Sequence, residues 1–241
     1  EIIRVPVKSD MHCDLDAMAS AIRSDTVMVY LVNPNNPTPT LILYDELRDF
    51  VREVAKDRMV FIDEAYFEYV DNPRYGTMID LVAEGHKNII VSRTASKIHG
   101  LAGLRVGFGF AHPDHIAKIN DLKTGASNHL GVEAAYASYQ DNDFQDFTRR
   151  KNRESMAIVE GMFDELGVRY VKSETNFTFF ETGIPVEELN AELLEHGIMS
   201  GRPFPPFTNW SRISMQTPDE MRYYVQTFKR LFASRILDQA A

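Results

Sequence analysis

Three clusters of reactive side chains follow apolar runs of strand length in this 241-residue sequence. Asn33-Pro34-Asn35-Asn36-Pro37-Thr38 follows Val27–Val32, Asp63-Glu64-Ala65-Tyr66 follows Met59–Ile62, and Arg93-Thr94-Ala95-Ser96-Lys97 follows Asn88–Ser92. Ligands of open α/β sheets sit beyond the carboxyl ends of the strands. These positions would therefore bring an amide, a carboxylate with a phenol, and an amine to one crevice. Each cluster alone has an ordinary reading: Asn and Pro make turns, an Asp after a strand caps a helix, Tyr66 packs in a core, and a lone lysine is solvated. Their joint occurrence at successive strand ends favours a common site.

The elements that must position them are legible from periodicity. The three apolar runs are nearly continuous, as in parallel strands covered on both faces. Leu15, Met18, Ala19 and Ile22 repeat at helical spacing behind an Asp14 N-cap, and Tyr44, Leu47, Val51 and Val54 form a second crossover helix. The Gly-rich, polar link from Ser92 to Arg105 leaves no room for a packed helix, so Arg105–Phe110 is predicted to run antiparallel to its neighbour. An α/β fold with a three-layer, mixed, mostly parallel sheet follows. Further on, a helix starts near Pro113, and Val132 to Leu166 reads as one long helix or two abutting ones, stopped by Gly167. Two short strands, Val168–Val171 and Asn176–Phe180, precede a helix opened by Pro185 and closed by Gly197. Thr217-Pro218-Asp219-Glu220 is a capping box that opens the last helix. The change of rhythm predicts a large domain over 1–155 and a smaller α+β domain over 156–241.

Composition narrows the function classes. Hydrophobic residues at 44%, charged residues at 25%, and 13 Gly with 11 Pro are ordinary for a packed domain and argue against disorder. A formal charge of -9 offers no basic surface for nucleic acid. No apolar stretch approaches the ~18 residues of a membrane span. The single cysteine, Cys13, allows no internal disulfide or thiolate metal cluster, which fits a reducing, cytoplasmic compartment. No metal site is expected.

The chain resembles the fold-type I, class I/II pyridoxal 5′-phosphate aminotransferases, and within them the histidinol-phosphate aminotransferase branch. The resemblance rests on NPNNPT at Asn33–Thr38, DEAY at Asp63–Tyr66, SKIHGLAGLRVGF at Ser96–Phe108, ETNF at Glu174–Phe177 and SRIS at Ser211–Ser214. It implies pyridoxal 5′-phosphate as cofactor, an amino acid and a 2-oxo acid as substrates, and a homodimer. It implies that Asp63 pairs with the ring nitrogen, that Tyr66 and Asn36 bond the phenolic oxygen, and that Lys97 forms the Schiff base and moves the proton. Thr94, Ser96 and Arg105 would hold the phosphate, the last by a bidentate fork. Arg212 would bind the substrate carboxylate, with Asn176 near it. Arg202, in the Pro-rich aromatic stretch Ser200–Phe207, would line the side-chain pocket and meet an anionic group there.

Three features depart from that pattern. Pro39 stands where the family motif has glycine, which fixes φ and removes an N–H donor. His99, two residues past Lys97, is either an acid/base neighbour or, as is common for a lone histidine in a turn, a solvated or packing residue. The resemblance also implies an upstream stretch, with a glycine-containing phosphate loop and an aromatic residue stacking on the ring, that this sequence does not contain. The same anchors would serve a decarboxylase or other lyase. A non-catalytic binding protein on an eroded scaffold is the alternative of another class, and the intact Asp63, Lys97, Arg105 and Arg212 set argues against it.

Overall fold

A computed structural model describes residues 1–240, with side chains described as far as Arg235. Residues 1–36 and 40–145 pack as one unit, and residues 37–39 pack with the chain from Asp146 onward as a second.

In the first unit, β1 (Met28–Val32), β2 (Met59–Asp63) and β3 (Ile89–Thr94) are parallel neighbours, and β4 (Gly107–Ala111) pairs antiparallel with β3. The mixed sheet expected from the helix-free link is therefore what forms. The crossover helices are α1 (Leu15–Ala21), capped by the Asp14 carboxylate on the Ala17 N–H at 2.9 Å, and α2 (Tyr44–Val54). A short α3 (Ile79–Ala83) leads into β3. Period-2 alternation sends Val29, Leu31, Val60, Ile62, Ile89 and Val91 to one sheet face, where they pack against Leu15, Leu47, Val51 and Leu81. On the opposite face β1 differs from the expectation of double coverage, because Met28 and Tyr30 are 48% and 55% exposed. Beyond β4 come α4 (Pro113–Leu122) and α5 (His129–Gln140), and Ala135 of α5 packs with Ala95 and Val106.

The long helical stretch resolves into two helices, α5 and α6 (Asn142–Leu166), with Asp141 between them. Helix α6 spans both the packing boundary after Gln145 and the expected one after residue 155. It stops at Gly167, whose φ of +66° lies in the left-handed region that glycine adopts without a Cβ penalty. The second unit contains a three-stranded antiparallel sheet of β5 (Tyr170–Val171), β6 (Phe177–Glu181) and β7 (Trp210–Ser214). Phe163 of α6, Phe180, Ile213, Leu189 and Leu193 of α7 (Val186–Leu194), and Phe228 of α8 (Pro218–Ala240) form its core. The capping box forms as read: Thr217 N–H donates to the Glu220 carboxylate at 3.0 Å and Glu220 N–H to the Thr217 hydroxyl at 3.4 Å.

Candidate active site

Register aligns the carboxyl ends of the parallel strands. Val32 pairs with Asp63, and Asp63 with Ser92. The ladder runs one residue further, with Asn33 N–H donating to Asp63 O and Glu64 N–H to Ser92 O, both at 2.9 Å. Asp63 and Glu64 then face opposite sides. One Asp63 oxygen accepts the Ala65 N–H at 3.0 Å and the other the Tyr30 hydroxyl at 3.3 Å. Burial, then the Asp63 charge, raises the Tyr30 hydroxyl's pKa and keeps it a donor. The capping reading of Asp63 is thus half right: it caps its own turn, and no α-helix follows, only a 3₁₀ turn over Phe67–Tyr69.

Glu64 is a feature that the residue-by-residue reading did not single out. It is 1% exposed and accepts two bonds from the Arg93 guanidinium, at 3.1 and 3.0 Å, one from Met78 N–H at 2.7 Å, and the Thr77 hydroxyl. Arg93 also stacks on Phe67, 3.5 Å from the ring centre. Burial is the largest influence on Glu64 and raises its carboxyl above the usual range, against the pull of Met78 N–H and Arg93. Strand parity carries the only sequence signal for this pair, since each residue stands next to a candidate site residue.

Lys97 opens a β-turn. Gly100 N–H donates to Lys97 O at 2.9 Å, and the left-handed Gly100, at φ +68°, completes it. The Lys97 amine lies 4.9 Å from the centre of the Tyr66 ring. Just before the turn, the Thr94 and Ser96 hydroxyls are 2.9 Å apart, and the Ser96 N–H donates to Thr94 Oγ1 at 3.0 Å. Ala95 N–H donates to Val106 O at 3.1 Å, extending the β3–β4 ladder so that Ser96 and Arg105 come next. Arg105 is exposed, with φ +54°, and its guanidinium donates to Ala102 O at 2.9 Å. At the β1 end, the buried Asn33 side chain clamps Ile42 through N–H and C=O at 2.8 and 3.0 Å, and Asn36 is the exposed amide beyond it. Asn35 N–H bonds Thr40 O at 2.8 Å, so the loop containing Pro39 closes by bonds other than a Pro39 donor.

The structure thus brings Asp63, Tyr66, Thr94, Ser96, Lys97 and Arg105 to the strand-end edge of the first unit, with Asn36 after β1. Arg212, Asn176 and Arg202 belong to the second unit. Arg212 pairs with Phe179 in the β6–β7 ladder, and its guanidinium lies 5.0 Å from the ring centres of both Phe177 and Phe204. Arg202 shares Phe204 at 4.7 Å. Asn176 holds the strand start, its carbonyl accepting Met215 N–H at 2.8 Å. Gly201 is there for space: a Cβ would sit 2.8 Å from Arg212 O. Among the described residues no group of three or more His, Cys, Asp or Glu could hold a metal ion, and no helix is long and apolar enough to cross a membrane. The donors of the first unit fit a phosphorylated aromatic aldehyde: hydroxyls and a guanidinium for the phosphate, a carboxylate for a basic ring nitrogen, an amine for the carbonyl.

A mixed open sheet whose strand ends carry that donor set defines a class of α/β enzymes built around a strand-end ligand site. Residues 1–228 match the family model for aminotransferase class I and II, and the chain belongs to that family. It is 37% identical over 237 residues to the histidinol-phosphate aminotransferase of Brevibacillus brevis, covering 96% of this chain and 64% of the relative. It is 38% identical over 236 residues to histidinol-phosphate aminotransferase 2 of Hydrogenovibrio crunogenus, covering 96% and 62%. The chain therefore spans less than two thirds of the length of either relative. A crystal structure of an Erwinia carotovora atroseptica protein assigned as a histidinol-phosphate aminotransferase superposes with a TM-score of 0.92 at 35% identity, over 97% of this chain and 68% of that one. The Sinorhizobium meliloti histidinol-phosphate aminotransferase in complex with pyridoxal-5′-phosphate, at 24% identity and a TM-score of 0.85 over 100% of this chain and 65% of that one, shares the fold.

Proposed function

We propose that the chain acts as a pyridoxal 5′-phosphate-dependent aminotransferase, moving an amino group between an amino acid and a 2-oxo acid, with histidinol phosphate or an aromatic amino acid as donor. The observation that carries this reading is the alignment of Asp63, the Thr94–Ser96 hydroxyl pair and Lys97 at adjoining strand ends. The cofactor, when bound, supplies an electron sink for charge developing at the substrate Cα. Asp63 would hold a proton at the ring nitrogen; each carboxylate oxygen accepts more than one bond, so its bonds to Ala65 and Tyr30 can stay in place. Tyr66 and Asn36 would orient the ring through its phenolic oxygen. Thr94, Ser96 and Arg105 would bind the phosphate, the hydroxyls as donors and the guanidinium as counter-charge. Lys97 would anchor the cofactor and move the proton at the substrate Cα.

In the second unit, Arg212 would grip the substrate carboxylate, and Asn176 would stand beside it. Arg202, which shares Phe204 with Arg212, would meet an anionic side group such as a phosphate ester. The names of the relatives at 37% and 38% identity support a donor of that kind. A homodimer in the cytoplasm belongs to the same reading, and a lone cysteine is compatible with a reducing compartment. Incubation with pyridoxal 5′-phosphate, 2-oxoglutarate and a panel of amino donors tests it. Conversion of donors to 2-oxo products, or of histidinol phosphate to its carbonyl product, supports the reading. Release of CO₂ would move it to a decarboxylase, and cofactor binding with no turnover to a binding protein.

A further inference from the structure

The loop from Lys97 to Arg105 carries two of the proposed cofactor contacts, yet it has little regular structure of its own, only the Lys97–Gly100 turn and a 3₁₀ turn over Ala102–Leu104. Gly100 and Gly103 make it soft, and an added Cβ at either would touch nothing within 4 Å. Helix α5 touches it near both ends. Near the Lys97 end, the His99 ring is fully buried; its Nδ1 bonds the Ser138 hydroxyl at 2.9 Å and its ring lies 3.9 Å from that of Tyr139. The other nitrogen, Nε2, has no hydrogen-bond partner among the described residues and faces the Glu68 carboxylate at 3.9 Å. Near the Arg105 end, the Asn128 side chain at the start of α5 donates to Leu104 O at 3.0 Å and caps the helix through Gly131 N–H, also at 3.0 Å. Between these ties the helix packs closely on the residue just before β4: a Cβ on Gly131 would come within 2.7 Å of a Val106 methyl.

We propose that α5 is a splint that sets the spacing between Lys97 and Arg105, with His99 and Asn128 as positioning residues. Asn128 and Ser138 are ten residues apart on one rigid rod of about 15 Å, whereas the loop between His99 and Leu104 could otherwise adjust its length. His99 is buried and packed rather than solvated, and by packing it would fix the turn that presents the amine. The splint rests on the proposed cofactor function for its consequence, and on the apoprotein for its geometry.

Binding of pyridoxal 5′-phosphate and of pyridoxamine 5′-phosphate separates the two ends, because the second has no carbonyl for Lys97 to attack and reads the phosphate and ring contacts alone. Asn128→Ser keeps the cap acceptor but loses the donor to Leu104, and is expected to weaken both ligands about tenfold. His99→Leu keeps the volume but loses the Ser138 bond and the ring stack. It is expected to slow covalent attachment at Lys97 about tenfold while changing pyridoxamine 5′-phosphate affinity less than twofold, since small misplacements of a reacting group are costly. Ser138→Ala tests the same tie from outside the loop should His99→Leu not fold. In the apoprotein, Ser138→Ala should speed hydrogen exchange of the Gly100 and Leu101 amides, which bond Lys97 O and Ala95 O. Equal effects of the two kinds of variant on both ligands, or unchanged exchange in Ser138→Ala, would overturn the splint. A wild-type chain that never takes cofactor on Lys97 would instead refute the proposed function, and the exchange measurement would still decide the splint.

Discussion

Asp63 and Glu64 are neighbours in sequence and opposite in fate, because consecutive residues at a strand end face opposite sides of the sheet. Asp63 keeps a half-buried carboxylate with a tyrosine hydroxyl and one N–H on it, and Asp63→Asn should leave cofactor binding measurable while abolishing most turnover, because an amide cannot hold the ring proton. Near-normal turnover in that variant would reduce Asp63 to a turn cap. Glu64 spends its charge on Arg93, so the prediction there concerns stability. Arg93→Met strands a buried carboxylate, which costs about 3–5 kcal/mol at neutral pH. The sign with pH follows from the raised pKa: a carboxyl that binds its proton more tightly folded than unfolded favours folding at low pH, and that contribution is lost as pH rises through the folded-state value. The deficit of Arg93→Met should therefore shrink as pH falls toward the ordinary glutamate value of 4.5. Urea unfolding across that range checks it, and a pH-independent deficit would contradict it. Asp63 was legible from residue type and position after a strand. The Glu64–Arg93 pair was not, because it depends on the register between β2 and β3, which no single segment encodes.

Elements with a strong local signature were legible, and those defined by partners were not. The Asp14 cap, the Thr217–Glu220 box and the Gly167 stop are chemistry within a few residues, and each appears in the structure as read. The five-residue α3 is too short to show a helical period. Strand β7 was not read as a strand, although its SRIS residues stood out as a motif, because its register is set against β6, about thirty residues away in the chain. The exposed face of β1 was misread as covered for a related reason: apolar type alone does not say which face has a neighbour. The packing around β7 yields an element-scale prediction. Gly201→Ala would press a methyl against the Arg212 carbonyl and shift β7. It should raise KM for amino donors several-fold and leave cofactor affinity unchanged, as steady-state kinetics with a cofactor titration would show. An unchanged KM would mean that the strand yields without moving Arg212.

At the scale of the molecule, the proposed function places cofactor contacts in the first unit and substrate contacts in the second. Arg212→Lys should then raise KM and lower kcat/KM for every amino acid donor alike, because it loses a bidentate grip on the carboxylate they share. Arg202→Lys should hurt only donors with an anionic side group, and equal losses across donors would show the two roles to be exchanged. All of this depends on Lys97 being the residue that takes the cofactor. Borohydride treatment in the presence of pyridoxal 5′-phosphate, followed by peptide mapping, measures that directly. A phosphopyridoxyl label is expected on Lys97, lost in Lys97→Ala; a label settled on any other lysine, or undiminished in that variant, would contradict the proposed function.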